Sequence, residues 1–209
     1  VQATGNDGYH NAAAHAGMGN LDLSDYGYDG PGKYEVPFLA VTALDATVTD
    51  SSAPSGYLAE YANWCGSASG YCIAAPGTNI ESTAGADEGF VHSNGTSMAT
   101  PAVAGSVALL QGYYPWLSAQ NVAYILLETA NDQGEYADEA KYGQGALDLE
   151  AAVTTPIDGL ELASSSSFDS LTPTGMSKLS LPTSVQNKIL KSLPKTVTAF
   201  DALKRPFEY

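Results

Sequence analysis

From residue 100 to 110 the chain reads TPAVAGSVALL, with Val103, Val107 and Leu110 at helical spacing and Ala102, Ala104, Gly105 and Ala108 filling the other sides. A helix that is small and apolar all round has no face to give to water, so it is expected at the centre of a domain, covered on every side. Pro101 stands where a first helical turn tolerates it, because the amide it lacks would be unpaired there anyway. The rest of the chain has to supply the cover.

Upstream, residues 36–43 (VPFLAVTA) form a continuous apolar run bounded by turn residues, the pattern of a strand buried on both faces of a parallel sheet. Residues 72–75 predict another strand, stopped by Pro76 and Gly77, and residues 1–4 predict the end of a strand before the turn GNDG. Residues 10–32 show no apolar period and predict a long surface loop. Downstream, Ser118 is placed to cap a helix whose apolar side is Val122, Ile125, Leu126 and Ala130. A turn at 142–145 leads to a last short helix over 147–153. Strands and helices in this order predict an α/β domain over residues 1–155. Beyond it a serine run at 164–167, then LTPTG and LPTS, predict a linker or extension over 156–209. Within that extension Val185, Ile189, Leu190 and Leu193 could line one face of a short helix.

Against 23 acidic residues stand 8 basic ones, a net charge of −15, which argues against non-specific binding to nucleic acid or an anionic membrane. Up to residue 155 the basic residues are Lys33 and Lys141 alone, so the two segments have different electrostatic surroundings. No apolar run reaches the roughly 18 residues that a membrane-spanning helix needs. Cys65 and Cys72 flank a glycine-bearing stretch that allows a tight reversal. A disulfide in an oxidising compartment is favoured there over free thiols, or over a metal site for which no further ligand lies nearby.

Ser97 lies in NGTSMATP, between a glycine turn and the apolar helix. A helix start presents unpaired amides and a positive dipole end to developing negative charge, which suits a nucleophilic serine, although most serines in such places only cap. The longer string GTSMATPAVAGSVALL resembles the active-site serine motif of the subtilisin-like proteases. Four more segments match that family in the same order: ATGNDG, PGKYEVPFLAVTALD, IAAPGTNI and YGQGALDLEAA, together reaching from residue 1 to about 153. The resemblance implies a three-layer α/β fold with a mainly parallel sheet, of which this chain supplies the C-terminal part. It implies Ser97 as the nucleophile, and Asn6 as an oxyanion donor beside the Ser97 amide. It also puts Ala3, Thr4, Gly5, Gly95 and Thr96 along the substrate.

The family's catalytic Asp and His belong to DTG-like and HGT-like motifs that precede the Asn6 motif, and neither occurs here. His10, His15 and His92 lack that context. Serine without a base is a weak nucleophile, so the chain alone is expected to be inactive and to need an N-terminal fragment of the same protease as partner. The expected substrate is polypeptide, with no cofactor required for catalysis. Structural calcium is compatible with the family, but Asp22, Asp25 and Asp29 match no calcium-loop spacing and are expected in a solvated loop. NWCGSASGYCIAAPG is similar to the disulfide-bearing loop in subtilisin-like passenger domains of Gram-negative autotransporters, and the tail TVTAFDALKRPFEY is similar to the segment linking such proteases to downstream regions. That narrower likeness implies export to the cell surface or medium and a downstream β-barrel. A catalytically inactive module of the same fold is the rival reading, against which the retention of both Ser97 and Asn6 counts. A lipase elbow is a weaker one, since GTSMA lacks the last glycine of GxSxG.

Overall fold

The sequence AVTALD makes β2 (Ala40–Asp45), whose residues from Ala40 to Leu44 are solvent-free. Small and β-branched side chains suit a strand covered on both faces. The computed structural model describes residues 1–17, 38–84, 89–162 and 198–208. The predicted strand at 36–43 is thus shifted two residues onward at its end, and Val36 and Pro37 lie outside the described residues. Along one edge of β2 runs β4 (Cys72–Pro76), parallel, in register from Ala40 with Cys72 to Leu44 with Pro76. The other edge is shared. There β1 (Gln2–Ala3) pairs in parallel with Ala40 and Val41, and β3 (Tyr57–Leu58) pairs antiparallel with Leu44 and Asp45. Beyond β4 the ladder continues through a parallel bridge from Ala74 to Ala146.

One face of this sheet, through Leu44 and Ala74, meets Tyr136 and Tyr142. The helix α1 (Thr96–Tyr113) packs on β1, β2 and β4. Its approach is close at Gly77, where an added Cβ would lie 2.7 Å from the Ala43 Cβ and 3.2 Å from that of Ala99. Behind α1 lies α2 (Ala119–Glu128), capped by Ser118 as predicted, with Val122, Ile125 and Leu126 buried. Two short helices, α3 (Glu139–Tyr142) and α4 (Leu149–Thr154), follow, the latter capped by Asp148. A separate hairpin, β5 (Ile80–Thr83) with β6 (Phe90–Ser93), leads into α1.

Helix α1 departs from its sequence reading twice. It begins at Thr96 instead of Thr100, so Pro101 lies inside it and not in its first turn. Among the described residues it is also covered on one side only. Ala99, Val103, Ser106 and Leu110 are buried, whereas Ala102, Ala104, Gly105 and Ala108 are exposed and Leu109 and Tyr113 stand 62% and 67% open.

The chain divides into the units Val1–Thr155 and Pro156–Tyr209. In the second, β7 (Leu160–Leu162), β8 (Thr198–Asp201) and β9 (Pro206–Glu208) form an antiparallel sheet. Its polar centre is Asp201, which accepts from the amides of Ile157, Leu203 and Arg205 and from Nε and Nη2 of the fully buried Arg205. The serine run at 164–167 and the helix proposed around 185–193 lie outside the described residues.

Candidate active site

The strands β1, β2 and β4 run in parallel, and a parallel sheet offers its site beyond the carboxyl ends of its strands. The loop that leaves β1 carries Gly5 and Asn6. From β4 the chain passes through Gly77 and the β5–β6 hairpin to Gly95. Hydrogen bonds join these two segments across some ninety positions of sequence. Asn6 Oδ1 accepts from the Thr96 amide at 2.8 Å and from Thr96 Oγ1 at 2.9 Å, and the Gly5 amide donates to Thr96 Oγ1 at 3.3 Å. Thr96 itself is fully buried, so its hydroxyl serves the loop contact.

The consequence for Asn6 is a fixed orientation. With Oδ1 occupied by two donors, the amide nitrogen Nδ2 points elsewhere and finds no acceptor among the described residues. It lies 3.4 Å from where a Cβ on Gly95 would be, and Gly95 has φ +154°, a conformation that L side chains rarely adopt. Ser97 is the exposed second residue of α1. Among the first amides of this helix, Thr96 donates to Asn6, while Met98 and Ala99 both donate to the Gly95 carbonyl. The Ser97 amide has no acceptor among the described residues. Asn6, bound to the residue before Ser97, and the Ser97 amide therefore each keep an unspent N–H donor at the positive end of an 18-residue helix, where Ser97 is exposed.

No imidazole or carboxylate among the described residues bonds to the Ser97 hydroxyl. His92, on β6, has Nδ1 3.3 Å from the Asn79 carbonyl and Nε2 3.5 Å from Glu81. His10 stacks on Trp64 at 3.9 Å. Ala3 is half-buried in β1, and Thr4 is buried, with Oγ1 donating to the Asn63 carbonyl. Cys65 and Cys72 form a disulfide with Cα atoms 5.9 Å apart. Among the described residues no group of three His, Cys, Asp or Glu could hold a metal, and Asp22, Asp25 and Asp29 lie outside them. A cavity of about 240 Å³ is lined by Tyr57, Trp64, Glu135, Lys141 and Tyr142 among others, and neither Ser97 nor Asn6 borders it. Shifted titrations belong to that region too. Burial, more than the hydrogen bond to Glu135, pushes the Tyr142 phenol well above its ordinary value, and burial does the same for Tyr136.

Two residues that the sequence did not single out hold this arrangement. Asn63 is buried against the Gly5–Asn6 loop, and the Tyr61 hydroxyl accepts the Gly95 amide at 3.1 Å while donating to the Gly77 carbonyl at 2.9 Å. A tyrosine and an asparagine ahead of a cysteine give no local signal of such a task, since their partners lie dozens of residues away.

A family model described as the subtilase family matches residues 1–145. The serotype-specific antigen 1 of Mannheimia haemolytica is 33% identical over 146 residues, which cover 67% of this chain and 15% of that protein. The autotransporter lipoprotein NalP of Neisseria meningitidis serogroup B is 36% identical over 99 residues, 45% of this chain and 8% of its own. Among solved structures, the self-cleaved protease domain of PatA superposes with a TM-score of 0.53 at 25% identity, covering 73% of this chain and 48% of that one. The chain thus spans under a fifth of either of these curated relatives and about half of the solved domain.

Proposed function

Because the chain belongs to the subtilase family and has its subtilisin-like α/β fold, we propose that it carries the nucleophile and the oxyanion-binding groups of a serine endopeptidase. Ser97 Oγ attacks the scissile carbonyl, and the negative oxygen that forms is received by Asn6 Nδ2 and the Ser97 amide. The amine leaves, and water then hydrolyses the acyl-enzyme. The observation that carries this reading is the double anchoring of Asn6 Oδ1 on Thr96, the residue before Ser97, which leaves Nδ2 unspent. Donors fixed in advance where charge develops are the largest single source of catalysis in acyl transfer.

The base and its orienting carboxylate come, in this proposal, from an N-terminal segment of the same protease, and without it the chain is inactive. The open side of α1 supports that requirement. Ala102, Ala104, Ala108, Leu109 and Tyr113 form an apolar surface that water does not favour, and a second layer of structure would cover it. Polypeptide substrate lies along the part-exposed Ala3 and Gly5, while Thr4, Gly95 and Thr96, also expected there from the sequence, are buried and do not reach it. The disulfide and the likeness to an autotransporter protein fit export to the cell surface or medium, with a β-barrel downstream.

The test compares full-length wild type with Ser97→Ala on a peptide substrate and with a fluorophosphonate probe. The variant loses at least about a thousandfold in kcat, and the probe labels wild type alone. Equal activity would reject the reading, and no labelling of wild type would favour a non-catalytic module on the same fold.

A further inference from the structure

We propose that Asn63 is a positioning residue for the oxyanion donor Asn6, and that the segment from Tyr61 to Asn63 braces both arms of the oxyanion site; this rests on the roles given above to Ser97 and Asn6. Asn63 is fully buried, and its polar atoms are directed at the residues flanking Asn6 on both sides. Its Nδ2 donates to the Thr4 carbonyl at 3.0 Å, and its backbone amide donates to the Gly5 carbonyl at 2.9 Å. On the far side of Asn6, Oδ1 accepts from the amides of Asp7 and Tyr9, both at 3.0 Å. The loop backbone is thus clamped before and after Asn6, while the Asn6 side chain itself makes no bond to Asn63.

The fit is tight. A Cβ on Gly5 would lie 2.5 Å from Asn63 Nδ2, and Gly5 has φ +110°, a conformation that L side chains rarely adopt. Asn63 occupies space that only a glycine at position 5 leaves free.

Tyr61 extends the brace to the second arm. Its carbonyl accepts the Gly8 amide at 2.9 Å, and its hydroxyl, 3.1 Å from the Gly95 amide two residues before Ser97, shares that donor with the Gly77 carbonyl at 2.9 Å and itself donates to the same carbonyl. The segment is itself fixed at both ends. Ala59 donates to the Ala43 carbonyl of β2, and Cys65 is bonded to Cys72 at the start of β4. A brace tied to two central strands can transmit their rigidity to donors that stand on loops. Such rigidity matters because a misplacement of about 1 Å can cost about a hundredfold in rate.

The experiment is a double-mutant cycle on the full-length protease, measuring kcat and KM for Asn63→Ser, Asn6→Ala and the pair. Asn63→Ser lowers kcat about ten- to a hundredfold with KM little changed, and in the Asn6→Ala background the further loss shrinks to under about threefold. An equal loss in both backgrounds, or a change in KM alone, overturns the proposal while leaving the catalytic reading intact. Full activity in Asn6→Ala by itself would overturn the oxyanion reading and the proposal with it. Should Asn63→Ser fail to accumulate, Tyr61→Phe deletes a single hydroxyl. It is expected to lower kcat several-fold at constant KM, and an unchanged kcat overturns the brace.

Discussion

Replacing Thr96 with valine removes one hydroxyl and puts a methyl group of nearly the same size in its place, so packing is kept while two hydrogen bonds vanish. Asn6 Oδ1 loses its 2.9 Å donor and keeps the Thr96 amide at 2.8 Å, and the Gly5 amide loses its acceptor. Complete loss of a side-chain oxyanion donor costs about 2.7–4 kcal/mol, a range that comes from a subtilisin. With one of two anchors retained, about half of that is at stake, roughly 1.5 kcal/mol, or about tenfold in kcat. KM should hardly move, because the oxyanion exists only after attack. The stranded Gly5 amide adds about 1–3 kcal/mol of lost stability, which denaturant unfolding reads separately. The assay is steady-state hydrolysis of a chromogenic peptide by full-length wild type, Thr96→Val and Thr96→Ser. Serine keeps the hydroxyl and should stay within about threefold of wild type. If serine and valine are equally impaired, the hydroxyl is not what orients Asn6. If valine loses stability but no kcat, the anchoring of Oδ1 has no catalytic role.

Alkaline pH should destabilise the first unit through Tyr142, whose folded pKa is raised above the ordinary 10.0 mainly by burial. The unfolded chain releases that proton near pH 10 while the folded chain keeps it, so the stability it confers is complete below pH 10 and falls as pH rises further. Urea unfolding from about pH 8 to 11.5 should show a shallower fall for Tyr142→Phe, and an identical slope would refute this; Tyr136 and Tyr57, also raised, leave a residual slope. In the second unit, Asp201→Ala leaves the buried Arg205 guanidinium without its carboxylate and strips the Ile157 and Leu203 amides of their acceptor. Opening of β8 and β9, followed by amide exchange, should become easier by about 3–5 kcal/mol, and a change under about 1 kcal/mol would show that the pair is not the unit's centre.

The buried strands were legible because a run such as VPFLAVTA suits few surroundings other than a covered sheet, and Ser118 announced its helix through an ordinary cap. The start of α1 was not legible. Its first amide is satisfied by Asn6, ninety residues upstream, while the nearby Asn94 is engaged with the Asn79 amide of the preceding hairpin. A local reading looks for the cap next to the helix. Ser97 and Asn6 could be nominated through a long motif, but what fixes the Asn6 side chain is a contact with Thr96 that no spacing encodes. Asn63 was invisible for the same reason, since it becomes informative only when Thr4, Gly5, Asp7 and Tyr9 have been folded around it. The tail was read as linker from its serine and proline content. Its three strands are short, and their centre is an ion pair, a polar feature that hydrophobic periodicity does not detect.

The span of the Thr96 contacts also sets a schedule. Gly5 and Thr96 are separated by 91 positions, and Asn6 and Thr96 by 90. A growing polypeptide that has already released Asn6 must wait while the ribosome adds those residues, on the order of 5 to 18 seconds at 5–20 residues per second. Until then nothing holds Asn6 Oδ1, and the donor swings freely. Under the proposed function, the oxyanion donor is thereby fixed only once Thr96 has been made, and a nascent chain carries the parts of the site separately until then.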